Sequence, residues 1–224
     1  MSMYWETDES TPAPGPAEAV DVTFRLEGHS LPADYAPALA EALADPLADF
    51  SRLPGFGVKV LHLPVSGNGW HRGEGQPIYL SRRVQLLLRV PRDRARAALA
   101  LSGTAFEVDG EACRLARGRV RELQQVETLY ASRVVPLVHP EEDEAEFMEA
   151  VARRLAAMGV KPRKMLCGRR QTLQTRWGPV TLRSLMVAEM GPEGSYRLQS
   201  RGLGDGGLWG CGLFMPHKSV TEVE

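Results

Sequence analysis

The apolar pattern of this chain contains the same order of secondary-structure elements twice, and this internal repeat restricts the fold more than any other feature. Residues 20–27 alternate apolar and polar side chains, which predicts a half-buried strand. Leu39, Leu43 and Leu47 then recur every four residues and predict a helix over 33–48. The remaining elements predicted in the first half are strands over 58–65 and 84–90, a short helix over 91–101, and a strand or hairpin from 105–108 and 112–116.

The second half repeats this order of strand, helix, strand, strand, helix and strand. Its first helix begins in an acidic segment after Pro140, which suits the positive end of the helix dipole, and ends at Gly159. The other predicted elements are strands over 129–138, 164–175, 180–190 and 211–216, and a short helix over 194–201. Two copies of βαββαβ predict an α+β fold of two tandem ferredoxin-like domains, which are also called RRM-like.

The sequence also predicts a tail, a linker and the bounds of the two domains. Residues 1–19 are acidic and proline-rich, so we expect a disordered tail. The predicted N-terminal domain covers 20–118, a linker covers 119–128, and the C-terminal domain with its glycine-rich loop covers 129–224.

The sequence predicts a soluble, cytoplasmic protein. No apolar run is long enough to span a bilayer, and the N-terminus lacks the basic start and apolar stretch of a secretory signal. Cys113, Cys167 and Cys211 lie far apart and form no CxxC pair, which is typical of reduced, mostly buried thiols.

The distribution of charge favours a polyanionic partner, although the net charge is −1. Residues 161–220 contain ten Lys or Arg and three acids, and residues 82–121 contain ten Arg and four acids. A near-neutral protein with basic faces is typical of nucleic-acid binding. The alternative is that these are solvated surface charges balanced by acids nearby in space.

A glycine-rich segment precedes the last predicted strand. It contains Gly202, Gly204, Gly210 and Gly212 in a GxG, five residues, GxG pattern. Such a run lets backbone amides approach a phosphate closely, and the flanking Arg201, His217 and Lys218 favour that role. It is neither a Walker loop nor a Rossmann fingerprint. The alternative is a turn that needs glycines at positive φ.

This segment resembles the signature loop of the RAMP superfamily, the repeat-associated RNA-binding proteins of CRISPR systems. Other segments are similar to the MYXAN subtype of the sixth Cas family, which cleaves repeat transcripts; they lie at 24–34, 84–91, 128–131, 167–169, 198–204 and 210–218. The resemblance implies an RNA-binding endoribonuclease that cuts CRISPR precursor transcripts into guide RNAs and associates with other effector-complex subunits.

The resemblance also implies cleavage without a metal or cofactor, in which a ribose 2′-hydroxyl attacks the adjacent phosphate and leaves a 2′,3′-cyclic phosphate and a 5′-hydroxyl. Histidine suits the proton transfers because its pKa of about 6.5 lies near working pH. His29 lies in the turn where the family places its catalytic residue, and Tyr35 occupies the position of the family's usual histidine. We therefore predict His29 as general base or acid, with Tyr35 orienting the phosphate.

The other histidines are weaker candidates, and none has the spacing of a metal ligand set. His71 lies beside Trp70 in a glycine-rich loop, and His62 and His139 read as structural or surface residues. For RNA binding we predict five basic residues of the second domain, whose guanidinium and ammonium groups suit phosphate contacts. They are Arg163, Lys164, Arg169, Arg170 and Arg176.

Two other functions remain open from the sequence. A non-catalytic RAMP subunit would bind guide RNA without cutting it, and Tyr35 in place of histidine motivates that reading. A ferredoxin-like module that binds a protein or a small ligand would show no salt-dependent RNA binding.

Overall fold

The computed structural model describes residues 18–63 and 76–217 of the 224. The first half forms a five-stranded antiparallel sheet with two helices, in which the strand order is β3-β5-β1-β7-β6. A two-residue pair, β2 with β4, lies outside this sheet. The elements are β1 (Ala19–Gly28), β2 (Ser30–Leu31), α1 (Tyr35–Ala44), β3 (Gly57–Leu61), β4 (Ile78–Tyr79), β5 (Gln85–Pro91), α2 (Ala95–Leu99), β6 (Ala105–Val108) and β7 (Glu111–Glu122).

The two faces of this sheet have different surroundings because strand side chains alternate. Val22 and Phe24 of β1 and Leu88 of β5 are fully buried in a core that the helices cover. The intervening residues point to the opposite face, which we call the outer face. Lys59 of β3 and Arg119 of β7 lie on this outer face.

The second half has the same topology. Its strand order is β10-β11-β8-β12, and β9 pairs with the other end of β11. The elements are β8 (Thr128–Val134), α3 (Glu144–Ala157), β9 (Lys164–Cys167), β10 (Gln171–Thr175), β11 (Gly178–Ala188), α4 (Gly191–Arg201) and β12 (Met215–Pro216). Asp143 and Glu146 form a capping box at the start of α3, which satisfies backbone N–H groups that the helix leaves unpaired. The predicted tandem ferredoxin-like fold is confirmed.

Several predicted boundaries were wrong. The strand predicted over 164–175 is two strands, β9 and β10, because Gly168 passes so close to Ser184 that a β-carbon there would lie 2.1 Å from the Ser184 hydroxyl. The strand predicted over 211–216 is reduced to β12, since Gly212 has a φ of 69° and leaves extended geometry.

The predicted linker starts too early and the predicted tail ends too late, because strands β7 and β1 extend into them. β7 continues through Glu122, which pairs with Val20, so the first four residues of the predicted linker are strand. Ala19, the last residue of the predicted tail, begins β1 and is buried. The rest of that tail, apart from Glu18, lies outside the described residues.

Arg89 joins the two domains. It lies on the outer face of β5, is completely buried, and forms a two-bond ion pair with Asp21 at 2.7 and 2.9 Å. Its guanidinium also donates to the carbonyl oxygens of Phe214 at 2.6 Å and Gln199 at 3.3 Å, both in the second domain. The first sheet therefore holds the end of α4 and the approach to β12 through one side chain.

The described part of the chain contains no helix that is both long and apolar enough to cross a membrane. Its three cysteines are free thiols. Cys113 and Cys211 are buried, and burial raises the pKa of the Cys211 thiol to about 12.

Candidate active site between the two domains

A cavity of about 250 Å³ lies where β3 and α1 of the first domain meet β8 and the glycine-rich segment of the second. Apolar residues such as Leu39 and Val58 form part of its wall. Its polar lining consists of Tyr35, Lys59, Tyr130, Ser132, Arg133 and Gln171. We call this cavity the junction pocket. Two cations among hydroxyl groups, in a cavity at a domain boundary, form a site suited to an anion.

Lys59 reaches the junction pocket because of strand alternation. Val58 and Val60 point into the core of the first domain, so Lys59 projects from the outer face toward the second domain. Burial lowers the pKa of its ammonium group, and repulsion from Arg133 and Arg89 lowers it further. A lysine with a lowered pKa releases its proton at lower pH than an exposed lysine, and such lysines serve as general bases.

Arg133 supplies the fixed positive charge of the pocket. Its Nη1 donates a hydrogen bond to the carbonyl oxygen of Trp209 at 3.0 Å, and its own carbonyl accepts from the amide of Gly212 at 2.8 Å. These contacts hold the guanidinium against the glycine-rich segment. The bond to Trp209 uses one of the five N–H donors of an arginine, a group that suits phosphate oxygens.

Tyr35 is the first residue of α1 and is half-buried in the pocket wall. Burial raises the pKa of its phenol; Arg133 opposes that effect, and Asp34 adds to it. The phenol is therefore neutral at physiological pH and keeps a proton that it can donate in a hydrogen bond. A protonated phenol in the pocket wall suits the predicted role of Tyr35 toward a phosphate.

The glycine-rich segment lies on β3 and folds closely on itself, and these two kinds of contact account for Gly210 and Gly212. A β-carbon on Gly210 would lie 2.8 Å from the carbonyl oxygen of Val58, and φ at Gly210 is 73°. A β-carbon on Gly212 would lie 2.3 Å from the carbonyl oxygen of Leu203. The turn with positive-φ glycines, which the sequence left open, is thus present, and it brings Trp209 and Gly210 to the junction pocket.

His29 and Tyr35 are not brought together in the pocket. His29 is exposed on the turn between β1 and β2, where its ring contacts that of Tyr79 with centroids 5.3 Å apart, and it does not line the cavity. His217 lies beside the pocket residue Tyr130, with ring centroids 5.5 Å apart. His71 and Lys218 lie outside the described residues.

The predicted RNA-binding cations lie in separate places. Lys164 bonds Glu189 at 2.8 Å near the end of β11, whereas Arg176 lies at the tip of the β10–β11 hairpin. The ten residue steps from Ala188 to Gly178 correspond to about 33 Å.

The remaining predicted cations lie elsewhere in the second domain. Arg163 lies beside Lys164, and Arg169 is exposed between β9 and β10. The Arg170 guanidinium donates hydrogen bonds to the carbonyl oxygens of Glu141 and Glu142. Arg201 ends α4 opposite Glu18.

An aromatic pair lies at the edge of the pocket. Trp177 at the hairpin tip is 68% exposed, and its ring lies 6.1 Å from that of Trp209, centroid to centroid. The guanidinium of Arg176 lies 4.2 Å from the Trp177 ring centroid and forms an ion pair with Glu41 of α1 at 3.7 Å. The tip of the hairpin in the second domain is therefore held over the first.

Sequence reasoning missed Lys59 and Arg133. Lys59 occupies a polar position of an alternating strand, VKVL, and a lysine there is typical of a solvent-facing residue. Its importance depends on which side of the sheet the second domain covers, and that is a property of the domain junction. No group of three or more His, Cys, Asp or Glu residues suited to a metal occurs among residues 18–63 and 76–217.

Fold and site together define a protein of two ferredoxin-like domains whose junction is suited to an anion. The chain belongs to the Cas6 family: the family model described as Cas6 Crispr matches residues 20–219. It is 30% identical over 205 residues to the CRISPR-associated endonuclease Cas6 of Myxococcus xanthus. The aligned region covers 92% of this chain and 84% of the relative. The resemblance stated from the sequence is thereby confirmed.

Solved structures agree at the level of the fold. A CRISPR associated protein Cas6 matches with a TM-score of 0.60 at 12% identity, covering 90% of this chain and 100% of the other. A structure described as a RAMP protein binding different RNA substrates matches with a TM-score of 0.59 at 15% identity, covering 87% of this chain and 98% of that one.

Proposed function

We propose that this chain is an endoribonuclease that binds CRISPR repeat RNA and cleaves the precursor transcript into guide RNAs in the junction pocket. The observation that carries the proposal is the placement of Lys59, Arg133 and Tyr35 around one cavity at the domain junction. Membership of the Cas6 family and the similarity to an endonuclease over most of both chains support cleavage of nucleic acid.

The proposed reaction is metal-independent transesterification. The ribose 2′-oxygen forms a bond to the adjacent phosphorus, the bond from phosphorus to the 5′-oxygen breaks, and the products carry a 2′,3′-cyclic phosphate and a 5′-hydroxyl. Lys59, in the neutral form that its lowered pKa favours, accepts the proton of the 2′-hydroxyl, and the Tyr35 phenol donates a proton to the departing 5′-oxygen. Arg133 stabilises the extra negative charge that develops on the phosphorane oxygens.

His29, predicted as general base or acid, does not line the pocket that contains Tyr35, Lys59 and Arg133. In this proposal Lys59 takes the role of general base that was predicted for His29. His29 would act in catalysis only if bound RNA passed the turn between β1 and β2. A comparison of variants at the two positions therefore decides which residue is catalytic.

RNA binding is proposed to involve two groups of predicted residues. Arg176, Gly210 and Gly212 lie near the junction pocket and would contact nucleotides near the cut. Arg163 and Lys164, about 33 Å away along β11, would contact a distant part of the RNA. Arg169, Arg170, Arg201, Gly202, Gly204 and His217 complete the proposed set, with Lys218 outside the described residues.

Trp177→Ala is expected to weaken repeat RNA binding about tenfold or more without lowering the thermal midpoint. Stacking of a base on an exposed aromatic ring contributes about 1–3 kcal/mol, and Trp177 is too exposed to contribute much to the core. Fluorescence anisotropy measures the affinity. Leu166→Ala on β9 is the matched control, since Leu166 is 64% exposed in the same domain. Equal affinity of the Trp177→Ala and wild-type proteins would contradict the stacking role.

The proposed substrate is tested with RNA transcribed from the CRISPR repeat of the source genome and with a shuffled sequence of equal length. We expect one cut, at one position, in the repeat and none in the shuffled RNA. Tight binding of the repeat without cleavage would support the non-catalytic RAMP subunit instead. Absence of both binding and cleavage would overturn the proposed function.

A further inference from the structure

The outer face of the first sheet carries a second cationic surface, separate from the junction pocket. Arg25 of β1, Arg82 of the turn before β5, and Arg117, Arg119 and Arg121 of β7 surround one depression of about 330 Å³. All five side chains are exposed. We call this group the arginine surface. Four of its five members lie within the arginine-rich stretch 82–121, which the proposed function has not used.

The arginine surface has few compensating acids. Arg25 pairs with Glu27, which is also 3.9 Å from Arg114. Asp21 lies opposite Arg121 in the strand register but is committed to the buried Arg89. Among residues 18–63 and 76–217, the side chains of Arg82, Arg117 and Arg119 form no ion pair or hydrogen bond. Clustered guanidinium groups without acids create a positive potential that attracts a polyanion.

The register of the sheet places the arginine surface on the same face as Lys59 of the junction pocket. Lys59, Leu87, Thr23 and Arg119 are direct neighbours on β3, β5, β1 and β7, so all four point to the outer face. Three strand spacings give about 14 Å between the Lys59 and Arg119 positions. Since Leu87 and Thr23 between them are buried, the connecting surface is filled and not an open groove.

We infer that the arginine surface binds the phosphate backbone of a part of the RNA that lies outside the junction pocket. This inference rests on the proposed function for the identity of its ligand. Guanidinium groups of arginine match phosphate oxygens in geometry and remain charged at every physiological pH. Contacts of this kind add affinity without reading sequence.

The test is a salt titration of RNA affinity with Arg117→Gln/Arg119→Gln. Oligouridylate and the repeat RNA serve as probes, because the former reports backbone binding whether or not the chain cleaves a repeat. Loss of two phosphate contacts to a single strand should reduce the slope of log affinity against log salt by about 1.4. We expect affinity for both probes to fall about tenfold at physiological salt, and the cleavage rate at saturating protein to stay unchanged.

The control is Arg94→Gln/Arg96→Gln, which removes two exposed charges from the helical side of the same domain and should leave slope and affinity unchanged. Wild-type slope and affinity in the Arg117/Arg119 variant would overturn the inference, even if the protein cleaves the repeat. Unchanged RNA affinity with loss of an acidic protein partner would assign the surface to a protein instead. If the double variant is destabilised, Arg82→Gln in the turn before β5 provides the same test with an expected slope change of about 0.7.

Discussion

Replacing Lys59 by methionine is expected to lower the single-turnover rate of RNA cleavage at least about a hundredfold, while RNA affinity changes only a few fold. The variant removes the group whose lowered pKa suits it to accept the 2′-hydroxyl proton. The wild-type rate should rise with pH through the lowered pKa of Lys59 and then level off, because only the neutral amine acts as a base. The variant should lack this rise.

The same substitution is expected to stabilise the protein. The pKa of Lys59 is lower in the folded chain than in the unfolded one, so the charged lysine disfavours folding at every pH below its unfolded pKa. Methionine removes that cost at neutral pH, and the gain should disappear above about pH 10.5, where the unfolded lysine is also neutral. Each kcal/mol recovered should raise the thermal midpoint by about 2–4 °C.

Lys161→Met is the matched control for Lys59→Met, since Lys161 is exposed and lies outside the junction pocket. It should leave both the cleavage rate and the thermal midpoint unchanged. His29→Ala is the informative comparison. Cleavage that survives Lys59→Met and is abolished by His29→Ala would show that the general base is His29 and that our assignment to the pocket is wrong.

Replacing Arg89 by methionine is expected to lower the free energy of unfolding by about 3–5 kcal/mol. Methionine fills much of the space of the arginine chain but leaves the Asp21 carboxylate, which is 8% exposed, without its partner. The carbonyl oxygen of Phe214 also loses its donor at the domain junction. Urea denaturation followed by circular dichroism measures the change.

The control for Arg89→Met is Arg92→Met. Arg92 forms an ion pair with Glu122 at the surface, where solvent screens the charges, and exposed pairs contribute about 0–1 kcal/mol. The large loss should therefore be confined to Arg89. A change below about 1 kcal/mol at both positions would contradict the view that the buried ion pair holds the two domains together.

The order of elements was predictable because the periodicity of apolar residues differs between strands and helices. The repeat of βαββαβ is visible in the leucines of α1 and the alternation of β1, and the structure retains it in both halves. The breaks at Gly168 and Gly212 were not predictable, because each depends on a contact outside its own strand: Ser184 of β11 for Gly168, and Leu203, earlier in the glycine-rich segment, for Gly212.

The candidate site was predicted only in part. Tyr35 was predicted from the family resemblance, in which it takes the position of the usual histidine, whereas Lys59 and Arg133 become recognisable only when β3 and β8 face each other across the junction. For the glycine-rich segment the sequence left open a turn that needs glycines at positive φ, and the structure contains such a turn. Gly210 packs on Val58 of β3, a contact between domains that no local pattern contains, whereas Gly202 and Gly212 pack within the segment itself.

The most direct test of the central claim is single-turnover cleavage in EDTA of repeat RNA with either ribose or 2′-deoxyribose immediately upstream of the cut. The proposed chemistry predicts cleavage of the ribose substrate with a 2′,3′-cyclic phosphate end, and no cleavage of the deoxy substrate. Cleavage of the deoxy substrate, or loss of all cleavage in EDTA that added Mg²⁺ restores, would contradict metal-independent attack by the 2′-hydroxyl.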